Sequence, residues 1–172
     1  RAENDMLTGV LNKKTMEKRV SLMLKNRGDK YVIFYMIDLD NFKNVNDTLG
    51  HIYGDQAIVE TAQCLNKVFA NQDCIGRLGG DEFAVCVSYQ AFDEQGLLEF
   101  IGKKAQEICA GNRRTYTDNA SSVSITSSIG VAYAPDMGDS FTELYTQADC
   151  ALYYSKANGK DQYHIYSPKD DN

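Results

Sequence analysis

The sequence predicts an α+β domain, a central and mostly antiparallel sheet with helices packed against it. Two observations carry this. Helical and strand-like segments succeed one another in the order helix, strand, helix, strand, strand, helix, strand, helix, strand. A glycine pair in "RLGGDEF", residues 77–83, separates two short apolar runs, as the tight turn of a hairpin would.

Each element has its own signature. "NKKTMEKRVSLMLKNRG" places Met16, Val20, Met23 and Leu24 on one stripe and stops at Gly28, which predicts a helix. "YVIFYMID" is a continuous apolar run, the pattern of a strand buried on both faces. "GDQAIVETAQCLNKVF" turns Ile58, Thr61, Ala62, Leu65, Val68 and Phe69 inward as a second helix. "DCIGRL" and "FAVCVSY" are the hairpin strands. "EQGLLEFIGKKAQEICA" aligns Leu97, Leu98, Ile101, Ala105 and Ile108 in a third helix. "GNRRTYTDNASS" reads as a flexible loop. "SVSITSSIGVAYA" alternates as a strand, "FTELYTQADCALYYSKANG" is a helix, and "QYHIY" is the last strand.

At 172 residues the chain is large enough for one domain with a real core, and its 24% charged residues are ordinary for a globular protein. No apolar run approaches a membrane span, and nothing resembles a signal peptide. Five cysteines lack metal-type spacing, and Cys74, Cys86 and Cys109 fall at apolar positions. This points to reduced thiols in the cytoplasm. A formal net charge of −6 argues against nonspecific nucleic-acid binding. The start, "RAENDMLTG", lacks an initiator methionine and reads as the beginning of a fragment from a longer protein.

The acids near the strand ends raise the functional question. Asp38 and Asp40 flank Leu39, so both point to one face of an extended chain. If the first strand neighbours the hairpin, Asp38 meets Asp81. Carboxylates side by side repel unless a cation joins them, and a hard divalent ion, Mg²⁺ or Mn²⁺, would do so. The alternative is that Asp40 caps a helix at "NFKNVND" and that Asp81 and Glu82 decorate a turn.

"DMLTGVLNKK", "DLDNFKNVNDTLGHIYGDQAI", "RLGGDEF" and "ADCALYYSKANGKDQY" occur in that order, and together they closely resemble the GGDEF family, the diguanylate cyclases of bacterial signalling. The resemblance runs from Asp5 to Tyr166. It implies a fold like the palm of nucleotide polymerases and nucleotide cyclases. It also implies that two GTP become cyclic di-3′,5′-GMP and two pyrophosphates, in a homodimer driven by an upstream sensory domain. By the same resemblance, Asp38, Asp81 and the Leu39 carbonyl hold Mg²⁺ or Mn²⁺. Glu82 assists them in catalysis. Gly79 and Gly80 let the backbone approach GTP.

The resemblance makes Asn46 and Asp55 the guanine readers; an Asp carboxylate accepts from both N1–H and N2–H₂ of guanine, a donor pair that adenine lacks. Without it, Asn46 is a turn or cap residue and Asp55 an acid of a first helical turn. The backbone N–H groups of Phe42 and Lys43 would cradle the triphosphate, and Arg77, Lys156 and Lys160 would lie beside it. One departure stands out. The family's R-x-x-D inhibitory motif reads "ANQD" here, with Ala70 at the Arg position and Asp73 at the Asp position, which implies an inhibitory site without function. Two rival functions are a degenerate module that binds GTP without turning it over and a cyclase that accepts another nucleotide.

Overall fold

The computed structural model describes residues 2–171. The chain runs α1 (Lys13–Lys25), β1 (Tyr31–Asp40), α2 (Phe42–Leu49), α3 (His51–Val68), β2 (Cys74–Gly79), β3 (Glu82–Tyr89), α4 (Glu94–Asn112), β4 (Arg114–Thr117), β5 (Ser122–Ala134), α5 (Phe141–Ala157) and β6 (Gln162–Ile165), with a 3₁₀ turn at Pro168–Asp171. The strands form a six-stranded sheet in the order β2-β3-β1-β5-β4, with β6 also paired to β5. Every pairing is antiparallel except β5 with β6. The α+β architecture read from the sequence is therefore the observed one.

β1 is central and apolar on both sides because both faces of the sheet are covered. Ile33, Tyr35, Ile37 and Leu39 face the core with α3 and α4, beside Phe83, Val85, Ile129 and Val131. Val32, Phe34 and Met36 face α1 and α5, against Met16, Val20, Leu144, Ala148 and Leu152. Alternation then puts Asp38 and Asp40 on the α5 side of the strand and Leu39 on the other. Three helix starts, those of α1, α4 and α5, are capped by their own sequence: Asn12 accepts from the Thr15 amide at 2.9 Å, Asp93 from Gly96 at 2.8 Å and Ser140 from Glu143 at 3.1 Å.

Four details differ from the sequence reading. "NFKNVND" belongs to a separate helix, α2, broken from α3 at Gly50, whose φ of 97° lies outside the range comfortable for other residues. α3 starts at His51 rather than Gly54, so Asp55 sits beyond the first turn and the helix-start role fails. The expected loop "GNRRTYTDNASS" contains β4. Arg114 anchors it through bonds to Asn112 Oδ1 (2.8 Å), Thr61 Oγ (2.8 Å) and the Ala57 carbonyl (3.1 Å), and Thr115 and Thr117 pair with Ser124 and Ser122. Leu98 is partly exposed rather than inside. All five cysteines are free thiols, with Cys74, Cys86 and Cys109 buried. Among the described residues, no helix is long and apolar enough to cross a membrane.

Candidate functional site

The β1–β3 register pairs Asp38 with Glu82 and brings the Gly-Gly turn to the end of β1. The Leu39 amide donates to the Asp81 carbonyl at 3.3 Å, which ties the two strand ends together. Gly79 and Gly80 have φ of 151° and 47°, and a methyl group on either would meet nothing within 4 Å. The chain therefore requires glycine here for backbone conformation, and the space above the turn is open. Asp38, Leu39, Asn41, Phe42, Lys43, Asn44, Asp47, Asp81 and Lys156 line a cavity of about 400 Å³.

Electrostatics in this cavity are unbalanced. Burial, and then the neighbouring Asp38 carboxylate, pushes the Asp81 pKa up to about 6. Burial and the Asp38 and Asp149 carboxylates also raise Glu82. Lys156 Nζ lies 3.1 Å from Asp38 Oδ2 and 3.1 Å from Asp40 Oδ1. Burial works against its charge, but the two carboxylates outweigh burial and hold its pKa above the usual value. Asp38 Oδ1 is buried without a hydrogen-bond partner. A buried anionic oxygen without a donor is costly unless a cation completes it.

Asp38 and Asp81 therefore fit a hard divalent cation. Among the described residues, no group of three or more His, Cys, Asp or Glu side chains converges as a ligand set. The remaining positions would fall to backbone carbonyls, water and phosphate oxygens, which Mg²⁺ accepts readily. Asp40 does not cap α2. Its carboxylate is turned into the protein, and the residue before α2 is Asn41, in a left-handed conformation with φ 69° and no side-chain cap. The first amides of α2, at Phe42 and Lys43, thus begin a helix that no side chain caps, beside the cavity. The Lys43 ammonium is exposed and paired with Asp47 at 2.9 Å.

Other expected residues lie apart from this cavity. Asn46, one turn along α2, packs against Gly54 of α3: a Cβ on Gly54 would stand 1.8 Å from Asn46 Oδ1. Asp55 is exposed on the next residue. The sequence reading gives Gly54 no role because it opens the helix there; the structure places it inside α3, where a side chain would overlap Asn46. The structure does not bring Arg77 to the cavity. Its guanidinium bonds the Gly80 carbonyl at 2.9 Å and Asp5 at 3.2 Å, and so braces the turn. Lys160 also lies outside, exposed in a left-handed turn with φ 63°. Asp73 closes its own turn, accepting from the Ala70 amide at 3.0 Å. Beside it is a second cavity, of about 290 Å³, walled by Ala70, Asp73 and Arg19 of α1.

A family model described as "Diguanylate cyclase, GGDEF domain" matches residues 2–162. The cyclic di-GMP phosphodiesterase PdeR of Escherichia coli is 30% identical over 168 residues, covering 98% of this chain and 24% of PdeR. The bifunctional diguanylate cyclase/cyclic di-GMP phosphodiesterase MucR of Pseudomonas aeruginosa is 33% identical over 168 residues, covering 96% of this chain and 24% of MucR. This chain therefore spans about a quarter of the length of these relatives. The solved GGDEF domain of PA1120 (TpbB or YfiN) from Pseudomonas aeruginosa superposes with a TM-score of 0.87 at 30% identity, covering 98% of this chain and 96% of that one. The chain belongs to the diguanylate cyclase GGDEF-domain family.

Proposed function

We propose that this domain condenses two GTP into cyclic di-3′,5′-GMP, releasing two pyrophosphates. The observation that carries the reading is the half-satisfied Asp38 beside Asp81, at a cavity that adjoins the uncapped start of α2. In this reading Asp38, Asp81 and the Leu39 carbonyl hold Mg²⁺ or Mn²⁺. Such ions favour ionisation of the attacking 3′-hydroxyl and offset charge on the leaving pyrophosphate. The chain's own groups do the rest. The α2 amides and Lys156 orient the phosphates, Asn46 and Asp55 read guanine, and Glu82 completes the acid cluster. Lys160 and Arg77 act at most through the turns they shape. Incubation with GTP, ATP or both in Mg²⁺, followed by product identification, tests the reading. Cyclic di-GMP from GTP alone is expected. GTP binding without product would favour a binding module, and a mixed or adenine product would indicate another cyclase.

One site holds one GTP, so the product requires two copies facing each other, most simply by two-fold symmetry. Turnover per chain is expected to rise with protein concentration. A flat rate across dilution with a monomer by light scattering would contradict the dimer.

Specificity is expected to rest on Asp55. Asp55→Ala leaves two guanine donors without their acceptor. Because Asp55 is exposed, the cost falls at the low end for a lost partner, about 1 kcal/mol, or about fivefold in GTP affinity. The gap between GTP and ATP narrows by the same factor. Unchanged GTP affinity by calorimetry would remove Asp55 from the site. Product inhibition through Ala70 and Asp73 is expected to be weak, since position 70 carries no cation and Asp73 is committed to its turn.

A further inference from the structure

Asp40 shares a face of β1 with Asp38 but has a different environment. It is 3% exposed, and both of its oxygens are filled. Oδ2 accepts from Thr126 Oγ at 2.6 Å and from the Asp161 amide at 3.2 Å. Oδ1 accepts from Ser128 Oγ at 2.7 Å and from Lys156 Nζ at 3.1 Å. The donors come from β5, from α5 and from the turn before β6, so this one carboxylate gathers three segments around the end of β1.

Lys156 thus stands between a saturated acid and an unsaturated one. Its bond to Asp40 is part of a closed, buried network. Its bond to Asp38 joins an oxygen on the cavity wall, in a carboxylate whose other oxygen has no donor. The bond to Asp38 is therefore the exchangeable one. A divalent cation on Asp38 would repel an ammonium held at contact distance in a half-buried site. The two cations compete for one carboxylate.

We propose that Asp40 is a positioning residue that retains the Lys156 ammonium in the cavity when a divalent cation takes its place on Asp38. Held by Asp40, the ammonium remains available to a phosphate group beside Phe42, Lys43 and Asn44. Only this last step rests on the cyclase reading; the competition between the cations does not.

The test is Mn²⁺ binding without nucleotide, followed by electron paramagnetic resonance or calorimetry, in the parent chain, Lys156→Met, Asp40→Asn and the double variant. Lys156→Met is expected to tighten Mn²⁺ binding about tenfold, the effect of removing one adjacent positive charge. Asp40→Asn is expected to weaken it several-fold, because the lysine, without its anionic anchor, stays on Asp38. The double variant should return to the Lys156→Met value, since Asp40 then has no ammonium to hold. If Asp40→Asn does not fold, Thr126→Val takes its place in the same comparison, with weaker Mn²⁺ binding expected only while Lys156 is present. Lys156→Met with unchanged or weaker Mn²⁺ affinity overturns the competition. An Asp40 effect of equal size with and without Lys156 overturns the positioning role. Failure to make cyclic di-GMP with this Mn²⁺ ranking intact would sink the cyclase reading alone. Product formation with an unmoved Mn²⁺ affinity in Lys156→Met would sink this proposal alone.

Discussion

Asp81→Asn and Asp38→Asn are each expected to abolish turnover of GTP while the fold survives. Groups that merely orient a metal ligand cost about 10–100-fold when lost, and a direct ligand is expected to exceed about 100-fold. A packing role for the same acids predicts the opposite pattern. Burial and the Asp38 charge raise Asp81 to about 6, so the folded chain binds a proton there more tightly than the unfolded chain does. The stability from that protonated form is fully present below the ordinary carboxylate pKa of about 4 and is lost as pH rises through the raised value near 6. Asn cannot ionise, so Asp81→Asn should keep or gain thermal stability at pH 7 in chelator and lose that pH dependence. Mg²⁺ should stabilise the parent and leave Asp81→Asn unaffected. Near-normal activity in either variant would remove the metal assignment. Inactivity accompanied by unfolding would mean that the acids serve the structure.

The parts of the fold that were legible in the sequence are those where burial acts on periodicity. β1 could be read as central because a strand covered on both faces must be apolar at every position, and its acids come only at its end. Residues 114–117 could not, because β4 is held by polar partners. Arg114 reaches back to Thr61 and the Ala57 carbonyl, and hydroxyl pairs face one another across to β5. Nothing in the spacing of "RRTYT" reveals partners about fifty residues away.

The site divides along the same line. That Asp38 and Asp81 converge follows from the pairing of two apolar strands, and strand alternation alone puts Asp38 and Asp40 on one face. Their contrast does not follow from alternation. It depends on Thr126, Ser128 and Asp161, which enter from the far end of the chain. Arg77 shows the reverse failure. A base beside a glycine turn suits a phosphate partner, yet its guanidinium closes onto Gly80 and Asp5, a residue 72 positions earlier.

Gly130→Ala is expected to be the most destabilising single-methyl change in the chain. Gly130 lies on β5 opposite Met36 of β1, on the face that carries α5. A Cβ there would stand 2.0 Å from the Ala148 carbonyl oxygen and 2.3 Å from the Leu152 nitrogen. Both are backbone atoms in the middle of α5, so no side-chain rotamer can relieve the overlap. The helix must move off the sheet, and Ala148 and Leu152, now buried, must lose contact with Met36 and Ala132. Overpacking usually costs about 1–3 kcal/mol when side chains can adjust; against fixed backbone the upper end, about 3 kcal/mol, is expected. For a domain of this size that lowers Tm by about 6–12 °C. α5 also carries Lys156, so the displacement should reach the cavity and weaken GTP binding. Gly159→Ala is the control. Its Cβ would approach only the Gln162 side chain, at 3.5 Å, and φ of 115° confines its cost to backbone strain in an exposed turn. Thermal unfolding by circular dichroism measures both. A Gly130→Ala Tm within about 2 °C of the parent would mean that α5 does not rest on β5 at this glycine, and the placement of Lys156 over Asp38 would fall with it.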